Sequence, residues 1–192
     1  ALSITKEIVG SEQNGVDLTT TYRIVVSNSG SLAGTYDLAD NLSYGDGISV
    51  VEASVASVDP SSVAVNSGFN GTTDKMLTKG QNIDGGASHT FTVKVQGKAV
   101  VGITATAADC TIDEGETGTG RLNKATMTFD GKEQTAEACA PVTPPPSPSE
   151  SPTPTPSPTP QQSLTPTPSP TPTPSPTPPV VIRPKLPKTG QQ

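Results

Sequence analysis

The chain of 192 residues has no tryptophan, only six other aromatics, one histidine and two cysteines. Each scarcity excludes something. Without Trp, and with Tyr22, Tyr36, Tyr44, Phe69, Phe91 and Phe129 as the whole aromatic set, a core must be built mainly from Val, Ile, Leu and Ala. One histidine, His89, with two cysteines cannot complete a closed zinc ligand set, so no metal or other cofactor is expected. Basic residues are few among the first 140, where 9 Lys and Arg face 17 Asp and Glu. An acidic body of that kind lacks the footprint of a nucleic-acid binder. No apolar run approaches the ~18 residues of a membrane helix, and no signal peptide opens the chain. Its first residues already read as a strand, so the natural protein is expected to begin upstream.

Proline is also scarce, but only on one side of the sequence. Of 21 prolines, Pro60 alone precedes position 141. The chain therefore reads as three parts: a body over 1–141, a Pro/Thr/Ser spacer over 142–182, and a short terminal region over 183–192. In the spacer, Thr-Pro and Ser-Pro alternate, broken once at Gln161-Gln162-Ser163-Leu164. Each proline fixes φ and removes a donor, and each residue before it is pushed to extended conformations. Helix and sheet are both excluded, which leaves a disordered or polyproline II tail. Roughly 40 such residues reach about 120 Å. A wall-spanning spacer is the favoured reading. The alternatives are a docking strip for proline-binding domains and an O-glycosylated stalk.

Within the body, the apolar residues recur with period two rather than 3.6. Residues 2–8 (LSITKEI) place Leu2, Ile4 and Lys6 on one face, and residues 19–28 alternate Tyr22, Ile24 and Val26. Further runs lie at 48–58, 62–66, 89–96, 100–106 and 123–129. They are rich in Val, Ile and Thr, as strands prefer. Turn signals separate them at Asn14-Gly15, Ser29-Gly30, Asp46-Gly47, Asp59-Pro60, Gly85-Gly86 and Asp130-Gly131. The last stands between TMTF and KEQTAEA and marks a hairpin. Seven or more short strands in a body of this length predict an all-β sandwich.

Two resemblances follow from particular residues. Leu186, Pro187, Lys188, Thr189 and Gly190, placed after the spacer, resemble the Leu-Pro-x-Thr-Gly signal of Gram-positive cell-wall-anchored surface proteins. That resemblance implies cleavage by a sortase between Thr189 and Gly190 and transfer of the Thr189 acyl group to a peptidoglycan amine. It implies an extracellular, wall-bound protein. The family continues with an apolar membrane span and a basic tail, so the natural chain is expected to run past Gln192, and the membrane to enter only through that span. The body offers the second resemblance. TYRIVVSNSGS, Tyr36 to Leu42, Phe69 to Leu77 with Gly85-Gly86, and Asn123-Lys-Ala-Thr-Met are similar, in that order, to a repeated bacterial surface-protein domain of unknown function. It implies an immunoglobulin-like sandwich, used as a stalk repeat, with no catalytic activity.

Two crosslinks enter as expectations. Cys110 and Cys139 are an even pair, and a secreted setting favours a disulfide over two free thiols. Some Gram-positive pilin and adhesin domains also form an intramolecular isopeptide bond between a first-strand lysine and a last-strand asparagine, with a buried acid. The positions matching that pattern here are Lys6, Asn123 and Asp40. The alternative places Lys6 on an exposed face, Asp40 in a turn cap and Asn123 at a strand end. Other constellations carry less. His89 on an alternating strand reads as a surface residue, the acidic segment 109–116 as a solvated turn rather than a calcium loop, and the triplets at Asn41 and Asn70 as chance matches. The expected function is a structural surface domain, adhesin or stalk, anchored by sortase to peptidoglycan. Its rivals are a module binding a host matrix or glycan, and the non-catalytic end of a wall-anchored hydrolase.

Overall fold

The computed structural model describes residues 1–147 and the single residue Ser175. The spacer and the region 183–192, with Leu186, Pro187, Lys188, Thr189 and Gly190, otherwise lie outside the described residues. Eight strands run in chain order: β1 Leu2–Asn14, β2 Asp17–Asn28, β3 Gly34–Leu42, β4 Ile48–Asp59, β5 Met76–Ile83, β6 Ser88–Ala99, β7 Asn123–Phe129 and β8 Lys132–Ala138. One helical turn, α1 Ala105–Ala108, precedes β7. The strands form two antiparallel four-stranded sheets, ordered β1-β2-β6-β4 and β5-β3-β7-β8. This is the expected all-β immunoglobulin-like sandwich.

The period-two residues meet between the sheets, because alternate side chains of a strand point to one face. Tyr22, Ile24 and Val26 of β2 and Phe91, Val93 and Val95 of β6 face Tyr36 and Leu38 of β3 and Ala125 and Met127 of β7. Tyr22, Tyr36, Phe69 and Phe91 are all buried, so most of the few aromatics serve the core. A smaller cluster closes one end of the sandwich: Leu18, Ala99, Ile103, Ala107, Ala108 and Val142.

Three expectations change. Residues 62–66 form no strand; they cross between the sheets as a loop that buries Val63, with the Ala64 N–H donating to Gln81 Oε1 at 3.1 Å. Residues 100–106 are not a strand either. Gly102 turns with φ of 85°, and Thr104 then caps α1, its Oγ1 accepting from the Ala107 N–H at 3.2 Å. In place of those two runs stands β5, whose Lys-Gly-Gln-Asn centre shows no apolar alternation. It is held instead by Asp37, whose carboxylate accepts from the Gly80 N–H at 2.6 Å while Gly80 takes a φ of 60°. A side chain there would be strained.

Candidate functional site: a buried lysine, aspartate and asparagine

The core face of β1 continues Leu2, Ile4, Lys6, Ile8, so period two carries a charged side chain inward with the apolar ones. Lys6 pairs in register with Ile24 of β2 in one sheet. Asp40 follows Tyr36 and Leu38 on the core face of β3 in the other sheet. Asn123 opens β7 on the face of Ala125 and Met127, between Leu42 of β3 and Ala138 of β8. Three polar side chains thus meet where a sandwich normally holds only apolar ones. The Lys6 and Asp40 side chains and Asn123 are fully buried.

Their contacts form one chain. Lys6 Nζ donates to Asp40 Oδ1. Asn123 Nδ2 donates to Asp40 Oδ2 at 2.9 Å, and Asn123 Oδ1 has no partner among the described residues. The Tyr22 ring stands beneath the ammonium, 5.2 Å from its centroid to Nζ. Burial strips water from the ammonium and pulls the Lys6 pKa down to about 8, although the charge and hydrogen bond of Asp40 oppose the shift. A neutral amine is thereby within reach near neutral pH. A buried carbonyl oxygen without a donor is expensive to keep. The arrangement gathers a nucleophile, a carboxyl that can relay protons, and an amide whose carbonyl is available for polarisation. The sequence-derived trio Lys6, Asp40 and Asn123 is brought together.

Cys110 and Cys139 form a disulfide with Cα atoms 5.8 Å apart. It lies near the small end cluster, as does a residue the sequence reading passed over. Arg121 is buried, and among the described residues no carboxylate pairs with it. Its guanidinium donates to Glu12 O at 3.2 Å, Thr20 Oγ1 at 3.0 Å and Pro141 O at 2.9 Å, while Nε has no partner among the described residues. Burial lowers its pKa. Its backbone carbonyl accepts from the Tyr22 hydroxyl at 2.6 Å, and that hydroxyl also meets Tyr44 Oη at 3.0 Å. Burial raises the pKa of both tyrosines. The one available signal was that Arg121 and Arg23 are the body's only arginines, with Arg121 inside a stretch of small residues.

His89 corrects another expectation. It is buried rather than on the surface, and its Nδ1 meets the Tyr36 hydroxyl at 2.8 Å across the two sheets. The acidic segment is tied up internally. Asp109 Oδ1 accepts from the Thr111 N–H at 2.8 Å, and Glu116 Oε2 from the Asp113 N–H at 3.0 Å. Among the described residues, no group of three or more His, Cys, Asp or Glu is placed to hold a metal ion.

No family model matches the chain, and no curated protein matches it. Solved structures do. The major pilin subunit of Bacillus cereus is 11% identical with a TM-score of 0.36, covering 72% of this chain and 38% of the pilin. The full-length major pilin SpaD of Corynebacterium diphtheriae is 18% identical with a TM-score of 0.37, covering 71% and 33%. An exo-β-N-acetylglucosaminidase of Vibrio harveyi is 10% identical with a TM-score of 0.28, covering 74% and 18%. The chain therefore spans well under half the length of each of these proteins, and its function rests on its own geometry.

Proposed function

We propose that this chain is a structural cell-surface domain, a stalk or adhesin segment, that sortase joins to peptidoglycan through Thr189. We further propose that it locks itself with an isopeptide bond between Lys6 and Asn123. The observation that carries the reading is the buried contact of Lys6, Asp40 and Asn123, which a purely apolar core would not need. Burying a charge is unfavourable unless it is paired, so the trio calls for a chemical reason.

The bond would form in balanced steps. A proton moves from the Lys6 ammonium to Asp40. A half-turn of the Asn123 amide brings Oδ1 to the protonated carboxyl, which polarises the carbonyl. The Lys6 amine attacks Cγ, forming the N–C bond. The proton lost by that nitrogen passes through Asp40 to Nδ2, the Cγ–Nδ2 bond breaks, and ammonia leaves. No oxidant or cofactor is required. The product ties β1 of one sheet to β7 of the other. A pull between the two ends of the body would then bypass residues 7–122.

Intact mass of the denatured, reduced protein tests this, with peptide mapping. The expected result is a mass short by one ammonia and a tryptic peptide in which Lys6 is joined to Asn123. Mapping matters because Asn14-Gly15 could also lose ammonia by closing a succinimide. Full mass, or a loss mapped to another asparagine, would remove the bond from the proposal. The anchoring is tested separately, with a purified sortase and triglycine. A product ending at Thr189 and extended by triglycine is expected, and no transfer would sink that half. The binding-module reading gains nothing here, since four of the six aromatics lie in the core.

A further inference from the structure

The geometry points to a second mechanical element: residues 139–143 form a latch that keeps β8 from peeling when the tail is pulled. This rests on the reading above only in taking tension to arrive through the tail.

β8 is the weak point on that route. Among the described residues it is an edge strand with a ladder to β7 alone. Its rungs run from Asn123–Ala138 at the tail end to Phe129–Lys132 at the hairpin. A pull on Ala138 away from β7 would load these rungs one after another. The first to open is the rung that holds Asn123. Few of its side chains are buried: Lys132 to Thr135 are exposed in succession, and the ties beyond β7 are Ala138 against the core and Gln134 Nε2 donating to Leu2 O of β1 at 3.0 Å.

The five residues after β8 are fastened, almost one by one, to other elements. Cys139 is bonded to Cys110. Ala140 O accepts from the Arg121 N–H at 2.9 Å. Pro141 O accepts from the Arg121 guanidinium at 2.9 Å. The Val142 N–H donates to Ala108 O at 2.7 Å, and its side chain is buried in the end cluster with Leu18, Ala99 and Ile103. Thr143 is gripped by the Gln13 side-chain amide, which donates to its carbonyl at 2.6 Å and accepts from its N–H at 2.9 Å.

These attachments reach β1 through Gln13, β2 through Thr20 and Leu18, and α1 through Ala108. Arg121 joins several of them, since the same guanidinium holds Glu12 O, Thr20 Oγ1 and Pro141 O. This gives its buried charge a purpose: five N–H donors in a rigid fork suit one side chain to bind three separate strands of chain. Arg121 is a positioning residue in this sense. Tension on the tail meets several attachments to the body before it reaches the first rung of β8.

The test is force spectroscopy on the full chain, held at Ala1 and Gln192. Wild type and Gln13→Ala are each pulled oxidised and after reduction of the folded protein. Cys110 is exposed to reductant, and Gln13→Ala removes the grip on Thr143 together with one bond to the Gly15 carbonyl in the β1–β2 turn. The expected result is a first extension whose force falls on reduction and falls further in reduced Gln13→Ala. In that last case the step should release residues 130–143, about 50 Å at roughly 3.4 Å per residue. Equal first-step force in all four samples would overturn the latch. Intact mass of each sample is read first. With the Lys6–Asn123 bond present, a first step in reduced Gln13→Ala that releases β1 would also overturn the latch. Without it β1, an edge strand, can be drawn off from Ala1 first. The latch is then judged on the force of the step that releases residues 130–143, so the two ideas fail separately.

Discussion

Asp40 holds Lys6 on one carboxylate oxygen and Asn123 on the other, with Asn123 Nδ2 at 2.9 Å from Oδ2. The two partners of the proposed bond come from opposite sheets and share this single carboxyl. Removing it should stop the chemistry without removing either reactant. Asp40→Ala is expected to keep the full mass, with no joined peptide. It would also leave a buried ammonium unpaired, which costs about 3–5 kcal/mol. The missing crosslink adds the loop-closure contribution, about 4.7 kcal/mol for a loop of roughly 100 residues. Denaturant unfolding should register both. An Asp40→Ala protein that still lost one ammonia at Asn123 would show that the carboxyl is not the relay.

The rate of bond formation should fall in alkali. The reaction needs one proton shared by Lys6 and Asp40, so that the amine is neutral while the carboxyl polarises the amide. With the Lys6 pKa at about 8, that shared proton is lost as the pH rises above this value. Refolding at a series of pH values and timing the mass loss would trace the decline. A rate that kept climbing well above pH 8 would mean that deprotonated lysine alone suffices.

In Asn123→Ala, which cannot form the bond, the same group predicts a stability change of opposite sense. Lys6 has a lower pKa folded than unfolded, falling from 10.5 to about 8. Between those values the unfolded chain binds more protons, so stability rises with pH across the window. The gain is bounded at about 3 kcal/mol, from ~1.4 kcal/mol per pH unit. Chemical denaturation of Asn123→Ala at pH 8 and pH 10 would detect it, and a flat profile would place the ammonium in contact with water.

How far the sequence reaches is clear from particular residues. Period two placed Tyr22, Ile24 and Val26, and Phe91, Val93 and Val95, on the core face, where they lie. The same parity puts Lys6 inward, and the order of the motifs singled out Asp40 and Asn123. β5 was hidden because its strand conformation depends on Asp37 capping Gly80, a contact between distant residues. Residues 62–66 alternate like a strand yet find no neighbouring ladder. Arg121 and His89 were illegible for a related reason. Each is buried through partners in other strands, Thr20 and Glu12 for one and Tyr36 for the other.

Reduction of Cys110–Cys139 should lower stability even if the isopeptide bond is present. The disulfide spans 29 residues, and Asn123 lies inside that span while Lys6 lies outside it. The two crosslinks therefore interleave, and neither makes the other redundant. In the chain-entropy account the disulfide contributes about 3–4 kcal/mol. Denaturant unfolding of Cys110→Ser/Cys139→Ser, compared with wild type of verified mass, should show a loss of that order. No loss would mean that the buried contacts of residues 140–143 already hold the end of the chain.

Acid should weaken the domain through His89. Burial lowers its pKa below 6.5, and the charge of Asp84 only partly offsets this. The neutral ring can accept the Tyr36 hydroxyl proton at Nδ1, 2.8 Å away, whereas a protonated ring presents a second N–H to it. As pH falls through 6.5 the unfolded chain gains a proton that the folded one resists, so stability drops from there down to the folded value. His89→Gln keeps an acceptor for Tyr36 and removes the titration. Its melting temperature should vary less than that of wild type across this interval. Asp84→Asn, which deletes the offsetting charge, should instead deepen the wild-type decline. If His89→Gln follows the wild-type profile throughout, the acid sensitivity arises elsewhere, among the carboxylates.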